Sequence, residues 1–295
     1  MSKFQRTVLV DCAALGHYVK HSMRYLTNDG TTTGVIYGFL GLIKEAAEIM
    51  KPRQFVFAWD SVKSHRKRIY PEYKSNRAPS EKTEEERHED NIMREQLKIL
   101  RTDIIPALGF QNSFLTTGFE ADDIIAACAI SLPGKVFIMS RDNDLFQLLN
   151  QHVCMWDFQK KRYFTADDFT DKWRIEPNEW RQVKCMAGCT GDGIGNIPGI
   201  KESTAIKFMK GELPQFNKNK TPNKKYQAIK DHPHIIARNR PLVCLPFRHG
   251  KIVTPRYVVK RDQVSISAFW EMCEKYDFNS YLKDIEEWTE LLNMT

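Results

Sequence analysis

Residues 7–11 read TVLVD, a short run of β-branched and aliphatic residues that ends in an aspartate. Residues 55–60 (FVFAWD) repeat the pattern, and residues 135–140 (KVFIMS) follow it with acids just beyond their end. Such runs are typical of buried strands. With residues 152–157 as a fourth member, they predict a sheet whose strands end in carboxylates.

Helical stretches separate these strands. Residues 34–50 and 120–132 have helical patterns, and residues 84–105 form a longer stretch with a very charged first half. This alternation predicts an α/β fold with a mostly parallel central sheet and helices on both faces. Sites in such sheets lie at the carboxyl ends of the strands.

The chain changes character after residue 160. Pro177 suits the first turn of a helix that we expect to run to about residue 187. Residues 188–199 contain five glycines and predict a loop, and residues 201–210 return to helix. Helix, glycine-rich loop and helix form a common grip on a DNA backbone, because main-chain N–H groups can approach phosphates closely.

Two regions are therefore expected. Residues 1–175 would form an α/β domain, and residues 176–295 a helical DNA-binding region. Within the second region, residues 211–261 are rich in Lys, Asn and Pro and predict a less ordered segment. Residues 267–293 predict a helix with buried aromatic residues.

Positive charge is concentrated in two segments. The net charge is +7, but residues 61–77 carry +5 and residues 201–261 carry +12, so the remainder is acidic. Segregated positive charge suits a polyanion held along its backbone. A solvated basic face without a ligand is the alternative.

The composition narrows the class of protein. No apolar run is long enough to span a bilayer, and the N-terminus lacks a signal-peptide cleavage site. The seven scattered cysteines indicate reduced thiols rather than disulfides or a zinc site. We expect a cytoplasmic monomer with no membrane partner.

Eight acidic residues form the main functional signal. Crowded, partly buried carboxylates are unfavourable unless cations neutralise them. Oxygen ligands favour Mg²⁺, with Mn²⁺ as a substitute, and two such ions about 4 Å apart could promote phosphodiester displacement. Individually, each acid could instead end a strand, cap a helix or form a turn. The eight are Asp11, Asp60, Glu120, Asp122, Asp123, Asp142, Asp144 and Asp192.

Five segments together resemble the 5′ nuclease (flap endonuclease) superfamily. They are VLVDCAAL (8–15), FAWDSVKSHRKRIYPEYKSNRAP (57–79), FEADDIIA (119–126), SRDNDLFQLL (140–149) and MAGCTGDGIGNIPGIKESTAIKF (186–208). The superfamily includes the 5′-exonuclease domain of bacterial DNA polymerase I and stand-alone phage 5′→3′ exonucleases of RNase H-type primer removal. The resemblance implies a PIN-like fold, a helical arch at about residues 61–100 and a helix–three-turn–helix at about 181–210.

The resemblance also assigns the acids to two metal sites. The matching first-site ligands are Asp11, Asp60, Glu120 and Asp122, and the matching second-site ligands are Asp144 and Asp192, with Asp142 close to both and Asp123 beside them. All of these except Asp123 would be catalytic, together with Lys74 and Arg77.

Lys74 and Arg77 match a basic pair at the base of the family's arch, where they would contact the scissile phosphate and offset developing charge. Ordinary surface charge is the alternative for this pair. Tyr73 could stack on a base or pack in the core. The residues expected to contact DNA are Arg66, Lys67, Arg68, Tyr73, Lys74, Arg77, Gly199, Lys201, Ser203 and Lys207.

Two departures from the family pattern concern the second site. Family members commonly read GDxxDN, whereas this chain reads GDGIGN with Gly195 in place of an acid. The following hairpin is shorter than the double-glycine loop that often binds a monovalent cation in relatives. We therefore expect weak binding of the second metal ion. K⁺ is a candidate ligand of the shortened hairpin.

The leading hypothesis is a metal-dependent 5′→3′ exonuclease and flap endonuclease that acts in primer removal. Its partners would be DNA with a 5′ flap or single-stranded 5′ end, an RNA primer, and replication proteins such as a single-stranded-DNA-binding protein. If the chain is phage-encoded, it would act in the host cytoplasm. The alternatives are a structure-specific DNA-binding protein with weakened catalysis, motivated by Gly195, and a related RNA-cutting nuclease.

Overall fold

A computed structural model describes residues 5–22, 26–28, 30–77 and 83–288 of the chain. Its strands are β1 Arg6–Asp11, β2 Thr27–Asn28, β3 Thr31–Thr32, β4 Gln54–Trp59, β5 Ser113–Leu115, β6 Lys135–Met139, β7 Val153–Asp157, β8 Arg162–Phe164, β9 Arg248–His249 and β10 Ile252–Val253. Its α-helices are α1 Cys12–Ser22, α2 Gly34–Met50, α3 His65–Ile69, α4 Glu84–Ile99, α5 Ile105–Ala107, α6 Ala121–Ser131, α7 Ala166–Trp173, α8 Trp180–Ala187, α9 Glu202–Met209, α10 Lys224–Asp231, α11 Pro233–Val243, α12 Ile266–Lys275 and α13 Asn279–Lys283.

Six strands form the central sheet in the order β5-β4-β1-β6-β7-β8. Every neighbouring pair is parallel except β7 and β8. The predicted mostly parallel sheet and its four strands are confirmed. The three-residue strands β5 and β8 were not predicted, because each is too short to carry a hydrophobic pattern of its own.

The strand register places the carboxyl ends of the three central strands together. Asp11 at the end of β1 lies opposite Ala58 of β4, and Val10 lies opposite Met139 of β6. Residues that follow these strands therefore emerge along one edge of the sheet, as expected for parallel strands.

The sheet separates two hydrophobic layers. Val8 and Val10 of β1 pack in the layer that contains Phe39 of α2, whereas Leu9 packs in the opposite layer with Ile124 of α6. Because successive side chains of a strand point to opposite faces, both faces of β1 are buried, which explains its unbroken apolar sequence.

The helix predicted for residues 84–105 is α-helical as far as Ile99 and continues through a π-helical turn, Leu100–Ile104, into α5, which contains Pro106. Proline has no N–H to donate to the preceding turn, so the regular α-helical hydrogen-bond pattern is interrupted next to it. Among the described residues, no helix combines the length and apolar character needed to cross a bilayer.

The prediction that residues 211–261 are less ordered is wrong for much of that segment. It contains α10 and α11, and the side-chain oxygen of Asn223 caps α10 by accepting from the N–H groups of Lys225 and Tyr226. Ile229 of α10 is buried in the layer that holds α6. Lys224, Lys225 and Lys230 surround the few apolar residues of this helix, so its narrow apolar stripe is not evident from the sequence.

The chain returns to the first layer at its C-terminal end. The helix predicted for residues 267–293 is divided into α12 and α13, with Asp277 at a φ of 58° between them, and residues 289–293 lie outside the described residues. The ring of Tyr281 stacks on Tyr37 of α2 at 4.4 Å, and its hydroxyl donates to the Tyr37 carbonyl (2.7 Å). The boundary at residue 175 stays a prediction.

Asp262 anchors the segment between β10 and α12 to the sheet. Its side chain is buried, and its two oxygens accept from the backbone N–H groups of Phe55 (2.6 Å) and Gln111 (2.8 Å) and from the side-chain amide of Asn112 (3.2 Å). Burial raises the pKa of this carboxyl to about 7, against the effect of these hydrogen bonds. One carboxylate thus joins three separate stretches of chain.

Asp262→Ala is expected to lower the free energy of unfolding by about 1–3 kcal/mol, because it leaves the buried N–H groups of Phe55 and Gln111 without their acceptor. Urea unfolding at about pH 4 measures the change, because Asp262 is protonated in the folded state there and the cost of burying its charge, which appears as the pH rises toward 7, is nearly absent. Asp103→Ala is the control, since Asp103 is exposed. Equal unfolding midpoints for the two variants would contradict the anchoring role.

Candidate metal centre and nucleic-acid interface

The carboxyl edge of the sheet carries the first predicted acids. Asp11 is 7% exposed, and its oxygens accept from the N–H of Ala14 (3.0 Å) and from the hydroxyl of Ser140 (2.8 Å), which follows β6. Asp60 follows β4, and its Oδ1 accepts from the N–H of Ala121 (2.9 Å) at the start of α6. These bonds fix two carboxylates on neighbouring strands.

Asp122, in the first turn of α6, lies among several other acids. Burial raises its pKa well above the ordinary value, and nearby negative charges raise it further. Such charge effects require carboxylates close to one another. The contributing groups are Asp142, Asp11, Asp60 and Glu120.

Crowding also affects Asp11 itself. Burial, followed by the charge of Asp60, raises the pKa of Asp11 to about 6. A divalent cation would relieve this repulsion, and a donor set made only of carboxylate oxygens fits a hard ion such as Mg²⁺ or Mn²⁺. The first group of acids therefore has the chemistry predicted from the sequence.

A second group of donors lies beside the first. One ligand atom from each of Asp144, Cys189 and Asp192 lies within 4.8 Å of the others. Burial and then the charges of Asp144 and Asp192 raise the pKa of the Cys189 thiol to about 11. Burial, Asp144 and Asp192 also raise the pKa of Asp142, so that this residue faces both groups.

Cys189 was not predicted as a site residue, because the family pattern places an acid at position 195 instead. Gly195 faces elsewhere: its carbonyl accepts from Arg238 (2.8 Å) and Asn239 (2.8 Å), and an added Cβ would lie 3.4 Å from the Arg238 guanidinium. An acid at position 195 would therefore meet Arg238. The available signal was the spacing of Cys189 three residues before Asp192.

Lys74 joins the two groups of acids. Its Nζ lies 2.9 Å from Glu120 Oε2 and 4.0 Å from Asp192 Oδ1. Its backbone has a φ of 55°, and its N–H donates to the Asp192 carbonyl (2.7 Å). This hydrogen bond connects the turn that follows α3 with the glycine-rich loop.

Lys184 was not predicted as a site residue. It lies on α8 and is 6% exposed, and its Nζ lies 2.9 Å from Asp144 Oδ1 and 3.2 Å from Glu202 Oε1. A buried lysine beside a carboxylate needs such an ion pair. In the sequence, Lys184 could not be told from the many exposed lysines.

Arg66 and Asp123 do not have the predicted roles. Arg66 is 2% exposed, Asp123 is fully buried, and the guanidinium donates to both Asp123 oxygens at 2.6 and 2.8 Å. Asp123 also accepts from the N–H groups of Phe247 and Glu120. Because these contacts occupy both side chains inside the protein, Arg66 is not placed to bind DNA and Asp123 is not placed to bind a metal ion.

Tyr73 is likewise not placed to stack on a base. It is 2% exposed, and its hydroxyl donates to Glu120 Oε2 (2.8 Å). Burial and the Glu120 charge raise the pKa of Tyr73, which keeps the hydroxyl protonated as a donor. Tyr73 therefore positions an acid of the first group.

The other predicted DNA contacts lie at the surface. Lys67 and Arg68 are exposed on α3. Four more exposed residues follow one another from the glycine-rich loop into α9: Gly199, Lys201, Ser203 and Lys207. The loop borders an open cavity of about 860 Å³. Arg77 closes the short turn Ser75–Arg77, and its side chain lies outside the described residues.

Residues 6–174 match the model of the family described as 5′-3′ exonuclease, N-terminal resolvase-like domain. DNA polymerase I of Rhizobium leguminosarum is 31% identical over 71% of this chain and 21% of its own length. A 5′-3′ exonuclease of Aquifex aeolicus is 29% identical over 65% of each chain. The chain thus spans about a fifth of the length of that polymerase.

Solved structures share the fold. The T5 D15 protein, co-crystallised with metal ions, is 25% identical, with a TM-score of 0.67 over 81% of this chain and 89% of its own. The catalytic core of Rad2 in complex with DNA is 16% identical, with a TM-score of 0.58 over 98% of this chain and 93% of its own. The second similarity concerns the fold alone.

Asp11→Asn is expected to stabilise the metal-free protein at about pH 8 by up to about 3 kcal/mol and to have little effect at about pH 4. The pKa of Asp11 in the folded protein, about 6, lies above the ordinary 3.8. The folded state therefore binds this proton more tightly than the unfolded state, and stability falls as pH rises through about 6.

Thermal unfolding in excess chelator across this pH range measures the effect. Asp103→Asn serves as the control, because Asp103 is exposed. A parallel pH dependence of Asp11→Asn and the native chain would show that crowding at Asp11 does not limit stability.

Proposed function

Since the chain belongs to the 5′-3′ exonuclease family, whose N-terminal resolvase-like domain it carries at residues 6–174, we propose that it is a divalent-metal-dependent 5′→3′ exonuclease and flap endonuclease. It would hydrolyse phosphodiester bonds at 5′ ends or flaps of branched DNA and RNA–DNA. The observation that carries this proposal is the convergence of Asp11, Asp60 and Asp122 at the carboxyl edge of the sheet.

Mg²⁺ is the proposed cofactor, with Mn²⁺ as a substitute. Support comes from the oxygen donors of the first group and from the T5 D15 protein, which was co-crystallised with metal ions. When bound, two such ions supply an activated water and stabilise the attacking and leaving oxygens. The residues that would hold the first ion are Asp11, Asp60, Glu120 and Asp122, and those that would hold the second are Asp144 and Asp192, with Asp142 facing both.

Lys74 would act on the scissile phosphate. Its ammonium lies between Glu120 of the first group and Asp192 of the second, which is where a phosphate spanning the two groups would need a positive charge. Such a charge offsets the negative charge that develops on the phosphoryl oxygens. Arg77, in the turn that follows, would complete the basic pair.

The nucleic acid would be held on both sides of this centre. Residues 61–100, of which 78–82 lie outside the described residues, would form the arch for a single-stranded 5′ end, with the exposed Lys67 and Arg68 contacting phosphates. The exposed loop and α9, from Gly199 to Lys207, would hold the duplex as a helix–three-turn–helix between α8 and α9, with K⁺ as a candidate ligand of its hairpin. The catalytic core of Rad2, which was solved in complex with DNA, has the same fold as this chain.

The proposed setting is primer removal during replication. The relatives named DNA polymerase I support this role, although the chain spans only 21% of the first of them. Partners would include replication proteins such as a single-stranded-DNA-binding protein. The protein would work as a monomer in the cytoplasm, that of the host if it is phage-encoded.

A DNA-binding protein with weakened catalysis is the second candidate. The ion pair between Lys184 and Asp144 favours it, because the ammonium occupies a carboxylate of the second group. The two candidates differ in turnover, since the binding protein would hold flaps tightly without cutting them.

Cleavage of a 5′-labelled flap duplex, with Mg²⁺ titrated from micromolar to tens of millimolar, tests the proposal. Asp122→Asn is expected to reduce the rate by about 100-fold or more while flap binding persists, because it removes a central carboxylate. Asp167→Asn is the matched control: both aspartates occupy the second position of a helix that begins Ala-Asp-Asp, but Asp167 is exposed on α7.

Each other outcome favours a different function. If the Asp122→Asn variant cleaved the flap as fast as the native chain, the first group of acids would not belong to the active centre. Tight flap binding without cutting by the native chain would identify the binding protein. A strong preference for an all-RNA hairpin over the DNA flap would identify an RNA-cutting nuclease.

A further inference from the structure

Sulfur chemistry distinguishes the second group of donors from the first. Asp144, Cys189 and Asp192 bring two carboxylates and one thiol within 4.8 Å of one another, whereas the first group contains only carboxylates. We propose that Cys189 binds the second divalent cation through its sulfur, so that this position selects thiophilic ions such as Co²⁺, Zn²⁺ or Cd²⁺ over Mg²⁺. The proposal deepens the proposed function and rests on it for the identity of the two sites.

The loop that carries Cys189 is tightly closed. Cys189 and Ile194 exchange two backbone hydrogen bonds (3.0 and 2.9 Å), and the Asp192 N–H donates to the Cys189 carbonyl (3.1 Å). Gly188 has a φ of 68°, and a Cβ there would lie 2.3 Å from the Ile194 carbonyl. The closed loop therefore holds the Cys189 and Asp192 side chains next to each other before any ion binds.

Asp144 approaches this loop from a different part of the chain. It lies in the short 3₁₀ turn Asn143–Leu148 that follows β6, and the N–H of Asp144 donates to Asp142 Oδ1 (2.8 Å). The three donors therefore lie on two segments of the chain, each held by its own hydrogen bonds. This arrangement provides a partly preformed site, which an isolated cysteine on one loop would not.

The donor types decide which ions are preferred. Thiolate ligands favour borderline and soft ions, whereas Mg²⁺ requires oxygen ligands in near-octahedral geometry. Two carboxylate oxygens, one sulfur and a water give four ligands, the number that Zn²⁺ and Co²⁺ commonly accept with sulfur present. The first group would therefore keep Mg²⁺ while the second takes a different metal.

The Lys184 ammonium can give up its contact with Asp144 to an incoming ion. Its Nζ lies 2.9 Å from Asp144 and 3.2 Å from Glu202 Oε1, and Glu202 is exposed at the start of α9. When a cation takes Asp144, the ammonium can keep its charge partner in Glu202. The site can therefore be loaded without leaving a buried lysine unpaired.

Titration of the 295-residue chain with Co²⁺ tests the proposal without measuring cleavage. Binding forms a Co–S bond as the thiol proton leaves to solvent, which gives a sulfur-to-cobalt charge-transfer absorption in the near ultraviolet. Cys189→Ser is expected to lose this absorption and to weaken Co²⁺ binding at this site by about tenfold or more, since even supporting ligands commonly contribute that much.

Two further variants make the result specific. Cys244→Ser is the matched control, because Cys244 is half-buried like Cys189 and packs in the same small hydrophobic cluster but lies outside the donor group; it should keep the absorption. Cys189→Asp should lose the absorption, retain Co²⁺ and bind Mg²⁺ more tightly than the native chain, as measured by calorimetry.

The proposal is overturned if the native chain shows no sulfur absorption at saturating Co²⁺, or if the absorption persists in Cys189→Ser. These outcomes would leave the proposed nuclease function intact, because flap cleavage in Mg²⁺ is measured separately. If the native chain showed the sulfur-to-cobalt absorption but did not cleave flaps in Mg²⁺, the proposed function would be refuted and the proposed metal site would stand.

Discussion

Repulsion among the carboxylates at the ends of β1, β4 and β6 is the constraint to which the neighbouring structure responds. Burial and mutual charge raise the pKa of Asp11 and Asp122, so these groups weaken the protein unless positive charge reaches them. Lys74 and Lys184 supply part of that charge. Fixed N–H and hydroxyl donors stabilise the carboxylates further, and divalent ions would neutralise the negative charge that remains.

Much of the fold follows from local sequence patterns. The strands that end in Asp11 and before Asp60 are continuous apolar runs, and α2 begins and ends where its periodicity does. Because parallel strands bring their carboxyl ends to one edge, the first group of acids could be predicted without a structure. The order of segment 211–261 could not, since α10 buries only Ile229 among its lysines.

Roles that depend on burial could not be read from residue type. Arg66 lies in a basic run with Lys67 and Arg68, yet it alone turns inward to pair with Asp123. Cys189 belongs with Asp144, a residue 45 positions earlier in the chain. In each case the deciding contact is made by residues distant in sequence, and a single chain without the fold carries no record of it.

The backbone hydrogen bond from Lys74 to the Asp192 carbonyl has a consequence for signalling within the molecule. It joins the base of the segment proposed as the arch to the loop proposed to grip the duplex. A displacement of either element must be accommodated by the other at this bond, and any resulting coupling of affinities is reciprocal. Such a coupling would appear as an affinity for duplex that depends on whether a single strand is threaded through the arch.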